Sequence, residues 1–423
     1  MIGTILFVGL IVFVLLGMPI GFALGVVGFI LFIISNAPME MMPIVLFDGA
    51  NKFPLLAIPL FMLVGELMDA CNLSARLINF ATSLVGFMRG GLAQVTVLTS
   101  MIFAEISGSA VAGAAALGGI LIPQMKKQNY PGGFAVAIVS VASTMAIILP
   151  PSIPMILYGV MSGTSITKLF IAGIVPGIIV GTALFITNYF FARKYSLGVQ
   201  QPFTMPNVGK TFKEAFWALT VPFIILGGIW GGIFTPTEAA GIAAVAAFVI
   251  GVFIYRVLKL SDIPRIALRA ANQTALTMII IAGSAIIGWF LTAEQIPQGI
   301  AAWTAALSTN KFLILAIFNV FFLIVGMFLH SAAAIIMLVP ILMPIVHQLG
   351  IDPVHFGIIL TINLGIGQQT PPVASVLLTA CSVGNTPLVK VLPYLKYYLA
   401  VMLLILGLIT YIPIISTWLP SIM

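Results

Sequence analysis

Ile147-Ile148-Leu149-Pro150-Pro151-Ser152-Ile153-Pro154 sets three prolines and a serine in the middle of an apolar segment that runs from Phe134 to Gly163. As one helix this 30-residue segment is about 45 Å long at 1.5 Å per residue, against a hydrocarbon core of about 30 Å. Proline lacks a backbone donor and clashes with the carbonyl one turn back, so the spacing predicts a helix broken near its centre. Carbonyls freed at membrane depth are tolerated only where protein, water or an ion satisfies them. Gly367-Gln368-Gln369-Thr370-Pro371-Pro372 interrupts a second long apolar segment, Val354 to Gly384, in the same way, and the two Pro-Pro pairs lie 221 residues apart.

The composition around these breaks is that of a membrane protein. Hydrophobic residues make up 61% of the 423 and charged residues 6%, with a mean hydropathy of +1.23. The expected class is an all-α polytopic membrane protein in a lipid bilayer. A barrel would need strands of roughly ten residues with alternating polarity, and none are found. The net charge of +7 therefore belongs to membrane orientation, with no nucleic-acid partner implied. Cys71 and Cys381 carry no metal spacing and no disulfide framework. The first basic residue is Lys52, so Met1 onward is expected to be a span and not a cleaved leader. Without a nucleotide-binding loop, the chain is not expected to hydrolyse ATP.

Order along the chain points to a duplication. Residues 1–35 read as two spans breaking near Pro19, followed by an amphipathic stretch 38–52, a span Pro54–Ala70 and an interfacial stretch 73–89. After a hydrophobic segment 92–128 come the broken segment 134–163 and a span 168–192. The polar stretch 195–214 reads as a cytoplasmic linker between a first repeat, 1–194, and a second, 215–423. The second begins with two spans, 215–234 and 236–257, separated at Thr235-Pro236, then amphipathic 259–269, a span 271–292 and interfacial 296–309. It ends with 312–349, the broken segment 354–384 and a last span at 394–419. Pro123 with Pro344, Pro150-Pro151 with Pro371-Pro372 and Gly163 with Gly384 all recur at the same offset.

Each repeat then holds five crossings and one extra segment. In Leu92–Gln128 the arm before Glu105-Ile106-Ser107-Gly108-Ser109 has 14 residues, about 21 Å, too short to span unaided. It is read as a re-entrant hairpin, with 312–349 and its centre His330-Ser331 as the counterpart. Five crossings per half is odd, so the two repeats have inverted topology. With both termini periplasmic or extracellular, 14 of the 17 Lys and Arg fall on the cytoplasmic side, leaving Lys52, Lys168 and Lys311 outside.

Inverted hairpin tips and broken helices converge at the bilayer midplane. Unwound carbonyls and helix C-termini suit a small cation, and helix N-termini suit an anionic group. In the first half Ser107, Gly108 and Ser109 with Ile148, Leu149, Pro150 and Ser152 form one candidate Na⁺ or substrate site. His330, Ser331, Gly367, Gln368, Gln369, Thr370 and Pro371 form its twin. A single kinked helix has an ordinary packing explanation; recurrence of tip and break in both halves favours binding. Glu105, two residues before the first tip, is a further candidate, since ionisable residues inside spans are functional by default. Thr235-Pro236-Thr237-Glu238 reads as a capping box, and Glu66 and Asp69 are placed to pair with Arg76. The three histidines have no metal spacing and no nucleophile motif occurs, so no enzyme is expected.

The order Glu105-Ile106-Ser107-Gly108-Ser109, Ile148-Leu149-Pro150-Pro151-Ser152, Gly367-Gln368-Gln369-Thr370-Pro371-Pro372, on a chain of this length, resembles the large membrane subunit of tripartite ATP-independent periplasmic (TRAP) transporters. The resemblance covers essentially the whole chain. It implies the ion transporter superfamily fold and an elevator movement of hairpins and broken helices against a scaffold. It also implies Na⁺ as coupling ion, a carboxylated organic solute and the bacterial inner membrane. The partners it implies are a small four-span membrane subunit and a periplasmic substrate-binding protein. Overall likeness favours sialic acid as solute, with C4-dicarboxylates next. The second tip, Leu329-His330-Ser331-Ala332, lacks the Ser-Gly-Ser of the first, so the two ion sites need not be equivalent. The rival reading is a channel whose filter is built from the same broken helices.

Overall fold

The computed structural model describes residues 2–199, 201–299 and 310–423, apart from the side chains of 2–4, 7, 11, 14, 15 and 105–107. Both expected breaks occur. The first segment runs as helices Gly132–Ser143 and Met145–Ile148, turns extended at Leu149 and restarts as Ile153–Ser162. The second runs as Pro353–Gly367 and restarts as Ser375–Val383. Pro150-Pro151 and Pro371-Pro372 are both cis. Ser152 starts the second piece of the first helix: its hydroxyl donates to the Ile147 carbonyl at 2.7 Å and accepts from the Met155 N–H at 3.5 Å.

Both extra segments are helix–turn–helix hairpins. Gly91–Ser107 turns at Gly108, whose φ of +57° is open to glycine without strain, and Ser109 caps Ala110–Lys127. The 17 residues of the first arm make about 26 Å, short of a full crossing. Lys311–Phe328 turns through extended Leu329 and His330 into Ser331–Gln348.

Two packed groups of helices result. Ile20–Ile34, Met41–Ala50 and Ala57–Ala70 pack on Ile263–Ala293, with Pro236–Val249 against Ala57–Ala70 and Met205–Trp230 against Leu73–Val85. The other group holds the hairpins, the broken helices, Ile166–Lys194 and Leu388–Tyr411. Within it the outer arms cross over: Ala110–Lys127 packs on Ser375–Val383, and Ser331–Gln348 on Ile153–Ser162. Gly132–Ser143 is buried from its second residue on, and Pro353–Gly367 from His355 on. Helices apolar all round belong in a core, and these two form the centre of the bundle. The groups meet chiefly where Leu73–Val85 and Ala57–Ala70 pack on Gly91–Ser107 and where Ile263–Ala293 packs on Ser331–Gln348.

Among the described residues there is no strand, and nine helical segments are long and apolar enough to cross a membrane. The chain is a multi-span membrane bundle. Some boundaries differ from the sequence reading. Helix Met205–Trp230 absorbs the second half of the polar 195–214 linker; Pro206 sits in its first turn, where the missing N–H costs nothing. Residues 263–293 form one helix, with neither proline nor glycine between Arg265 and Gly283 to divide 259–269 from 271–292. The last span divides at Pro413 into Leu388–Tyr411 and Ile414–Ile422. Of the interfacial stretch 296–309, residues 300–309 lie outside the described residues. Glu238 caps as expected, accepting from the Thr235 N–H at 2.8 Å. Arg76 lies 4.0 Å over the Tyr255 ring and reaches the Glu214 carbonyl, while Glu66 bonds Gln273.

Candidate functional site

The first tip meets the first break directly. A Cβ on Gly108 would lie 3.0 Å from the Pro151 carbonyl oxygen and 3.4 Å from Ile153 Cγ1, so glycine permits the approach. The second hairpin meets the second break one turn before its tip. There a Cβ on Gly367 would stand 2.5 Å from Gly326 Cα, and the Met327 carbonyl accepts from Val373 N–H at 3.2 Å and Ala374 N–H at 3.3 Å.

Between the four elements lies a cavity of about 50 Å³. Gly108, Ser109 and Ala110 line it from the first tip, and His330, Ser331 and Ala332 from the second. Ile147, Ile153 and Pro154 come from the first broken helix and Gln368 from the second. Ser109 with His330, Ala110 with Ser331 and Ile147 with Gln368 are pairs at the 221-residue offset found in the sequence. Ser109 and His330 also do the same local work, each accepting a backbone N–H at 3.4 Å to cap its helix. His330 thus supplies at the second tip the acceptor that serine supplies at the first.

Helix ends give the cavity a positive polarity. Ala110–Lys127, Ile153–Ser162 and Ser331–Gln348 begin on it, presenting the positive ends of their dipoles. Met145–Ile148 and Pro353–Gly367 end at it, but the Ile147 carbonyl accepts from Ser152, and those of Leu364, Ile366 and Gly367 accept from the Gln368, Gln369 and Thr370 N–H groups. The three N-termini suit an anionic group. Gln368 stands out: it is 1% exposed, and neither end of its amide has a hydrogen-bond partner. A buried amide left unsatisfied costs about 1–3 kcal/mol, so its position on a cavity marks where a ligand would complete it.

The sequence-predicted residues divide. Gly108, Ser109, His330, Ser331 and Gln368 line the cavity. Ile148 and Leu149 face away, towards helix Ile166–Lys194: the Ile148 carbonyl lies against Gly173 and the Leu149 side chain against Gly177. Pro150 is buried at the break without lining the cavity, and Ser152 is engaged in capping. Gly367 is the contact with Gly326, Gln369 is bonded to Ser140, and the Thr370 hydroxyl bonds back to the Ile366 carbonyl. Pro371 forms the cis bond. Ser107 and Glu105 have side chains outside the described residues. Sequence reasoning missed Met62 and Thr277, which complete the lining from the other helix group. A lone methionine or threonine in an apolar span carries no signal by type or spacing.

Paired hairpins and paired broken helices around one cavity, in a multi-span bundle, define a secondary transporter. Residues 7–415 match the family model "Tripartite ATP-independent periplasmic transporter, DctM component", and the chain belongs to this family of transport proteins. It is 41% identical over 387 residues to the C4-dicarboxylate TRAP transporter large permease protein DctM of Pseudomonas aeruginosa, covering 92% of this chain and 91% of that one. To the sialic acid TRAP transporter large permease protein SiaM of Vibrio cholerae it is 36% identical over 406 residues, covering 96% and 95%. Among solved structures, the Alcanivorax borkumensis YdaH transporter shares the fold, with a TM-score of 0.64 over 90% of this chain and 88% of that one at 16% identity. As a DctM-type large permease the chain carries a small organic solute, together with a small DctQ-like membrane subunit and a periplasmic substrate-binding protein.

Proposed function

We propose that this chain couples the inward movement of Na⁺ to import of a carboxylated organic solute by an elevator mechanism. The observation that carries the reading is the partnerless, buried Gln368 amide on a cavity lined by both tips and both breaks. Its oxygen suits a cation and its N–H groups suit a carboxylate, and the three helix N-termini around it favour the carboxylate. The offset pairs on the cavity wall support two inverted repeats, 1–194 and 215–423, with the termini periplasmic. The division into two helix groups, with the hairpins and broken helices gathered in one of them, supports a moving body and a frame. Of the residues singled out in the sequence, Gly108, Ser109, His330, Ser331 and Gln368 are assigned to the ion and solute; Ile148, Leu149, Pro150, Ser152, Gly367, Gln369, Thr370 and Pro371 hold the breaks in shape.

Identity does not rank the solutes, since relatives named for C4-dicarboxylates stand at 41%, 35% and 36% and one named for sialic acid at 36%. The deciding experiment is uptake into proteoliposomes holding the chain and its partners, under an imposed Na⁺ gradient, with radiolabelled succinate and sialic acid. Uptake that follows the Na⁺ gradient and needs the binding protein is expected. Equal uptake with K⁺ replacing Na⁺ overturns the coupling.

A further inference from the structure

The central cavity is too small for the solute. About 50 Å³ accommodates an ion with a water or two, whereas a cavity of about 150 Å³ is what binds a benzene ring, and a four-carbon diacid has more atoms than benzene. Next to it lies a cleft of about 340 Å³ between helix Ala57–Ala70 and the first hairpin, within the size range of small-molecule sites. Met62 borders both spaces. Gly65, one turn along, and Ala112 of the hairpin, which also line the cleft, carry little bulk, so the boundary depends on the Met62 side chain.

The backbone beneath Met62 is tied more firmly than its side chain. Gln273 Nε2 donates to Glu66 Oε1 at 2.6 Å, tying helix Ala57–Ala70 to Ile263–Ala293 one turn from Met62. Met62 is half-buried against the core, and the hydrogen bond described for it is a weak one from the Thr274 hydroxyl, 3.4 Å from Sδ, which also bonds the Ala270 carbonyl at 2.7 Å. Thioether sulfur is a weak acceptor and methionine is unbranched, so the side chain swings at little cost. The charge pattern gives a passing anion a direction. Glu66 and Asp69 line the cleft and repel a carboxylate, while the three helix N-termini on the cavity attract it.

We propose that Met62 is a specificity-determining partition: it divides an ion-sized cavity from a solute-sized cleft, and its swing sets how bulky a carboxylated solute reaches Ser109, His330 and Gln368. This rests on the carboxylated-solute reading above. The test is equilibrium binding of radiolabelled succinate and sialic acid to the purified membrane complex in saturating NaCl. For Met62→Ala the affinity for sialic acid relative to succinate rises roughly tenfold, and Met62→Leu, of similar bulk, keeps the wild-type ratio. Met62→Phe shifts the ratio the other way, which serves if Met62→Ala lowers the melting temperature too far to assay. Unchanged ratios in Met62→Ala and Met62→Phe, with wild-type binding intact, overturn the partition alone. A wild-type complex that binds neither probe in Na⁺ overturns the carboxylate reading and the partition with it.

Discussion

Gln369 is held at both ends of its amide by one residue, Ser140: the Ser140 hydroxyl donates to its oxygen, and its Nε2 donates to the Ser140 carbonyl at 2.9 Å. Both residues are 0% exposed, so the second break is fastened to the first broken helix in the middle of the bundle. Its neighbour Gln368 is as deeply buried and has no partner at either end. Two identical, adjacent side chains thus have opposite roles, one joining the halves and the other facing the cavity.

Substitution separates those roles. Gln369→Ala strands the Ser140 hydroxyl and carbonyl and destabilises the protein by about 1–3 kcal/mol, read as a lower melting temperature in detergent. Gln368→Ala has no protein hydrogen bond to lose, so its melting temperature holds or rises while Na⁺-dependent uptake falls. A fall in melting temperature for Gln368→Ala matching that of Gln369→Ala would make both amides structural.

The Gly326–Gly367 contact predicts a sharp size limit. Gly367→Ala drives a methyl group to 2.5 Å from the Gly326 Cα, and backbone cannot give way as a side-chain tip can. The hairpin arm has to move off the broken helix, at a cost of about 1–3 kcal/mol or more, seen as lost folded yield. Gly119→Ala, in the outer arm of the first hairpin with nothing within 4 Å of its Cβ, is neutral or stabilising by up to about 1 kcal/mol. Equal yields for the two variants would mean the glycine contact opens freely.

The tips test whether Ser109 and His330 are equivalents. Ser109→Ala removes the acceptor for the Ala112 N–H, costing about 0.5–2 kcal/mol, and raises the Na⁺ concentration needed for half-maximal uptake. His330→Ser places at the second tip the residue found at the first, so capping and uptake persist, whereas His330→Ala loses both. If His330→Ser fails as badly as His330→Ala in uptake with its melting temperature intact, the imidazole has a role that capping does not cover.

What could be read from the sequence followed from residues that change the backbone. Pro150-Pro151 and Pro371-Pro372 announced the breaks, and Ser107-Gly108-Ser109 announced a turn. The hairpin ends fell within a residue or two of those observed. Side-chain direction was not legible in the same way. Nothing in Gly367-Gln368-Gln369 tells which glutamine meets Ser140, because that depends on a helix 229 residues away. Met62 and Thr277 reach the cavity only through the docking of one helix group on the other, which no local pattern encodes. The polarity of 195–214 did not show that a helix starts inside it, at Met205 with Pro206 in the first turn.

Lys126 adds a charged group to the contact between the first hairpin and the second broken helix. From the last turn of the first hairpin its Nζ donates to the Gly384 carbonyl at 2.5 Å and to the Thr386 hydroxyl at 3.0 Å. Gly384 follows the last residue of Ser375–Val383, so the ammonium sits at a helix C-terminus, where a cation is favourable by about 0.3–1 kcal/mol and by as much as ~2 kcal/mol when partly buried. Lys126→Met keeps the length and removes the charge, and the melting temperature drops accordingly. Uptake drops with it, because the first hairpin and the second broken helix then hold their relative position less firmly. Thr386→Val is milder, since the Gly384 carbonyl still receives the ammonium. A Lys126→Met protein that melts and transports as the wild type would show that apolar packing between Ala110–Lys127 and Ser375–Val383 suffices to join the first hairpin to the second broken helix.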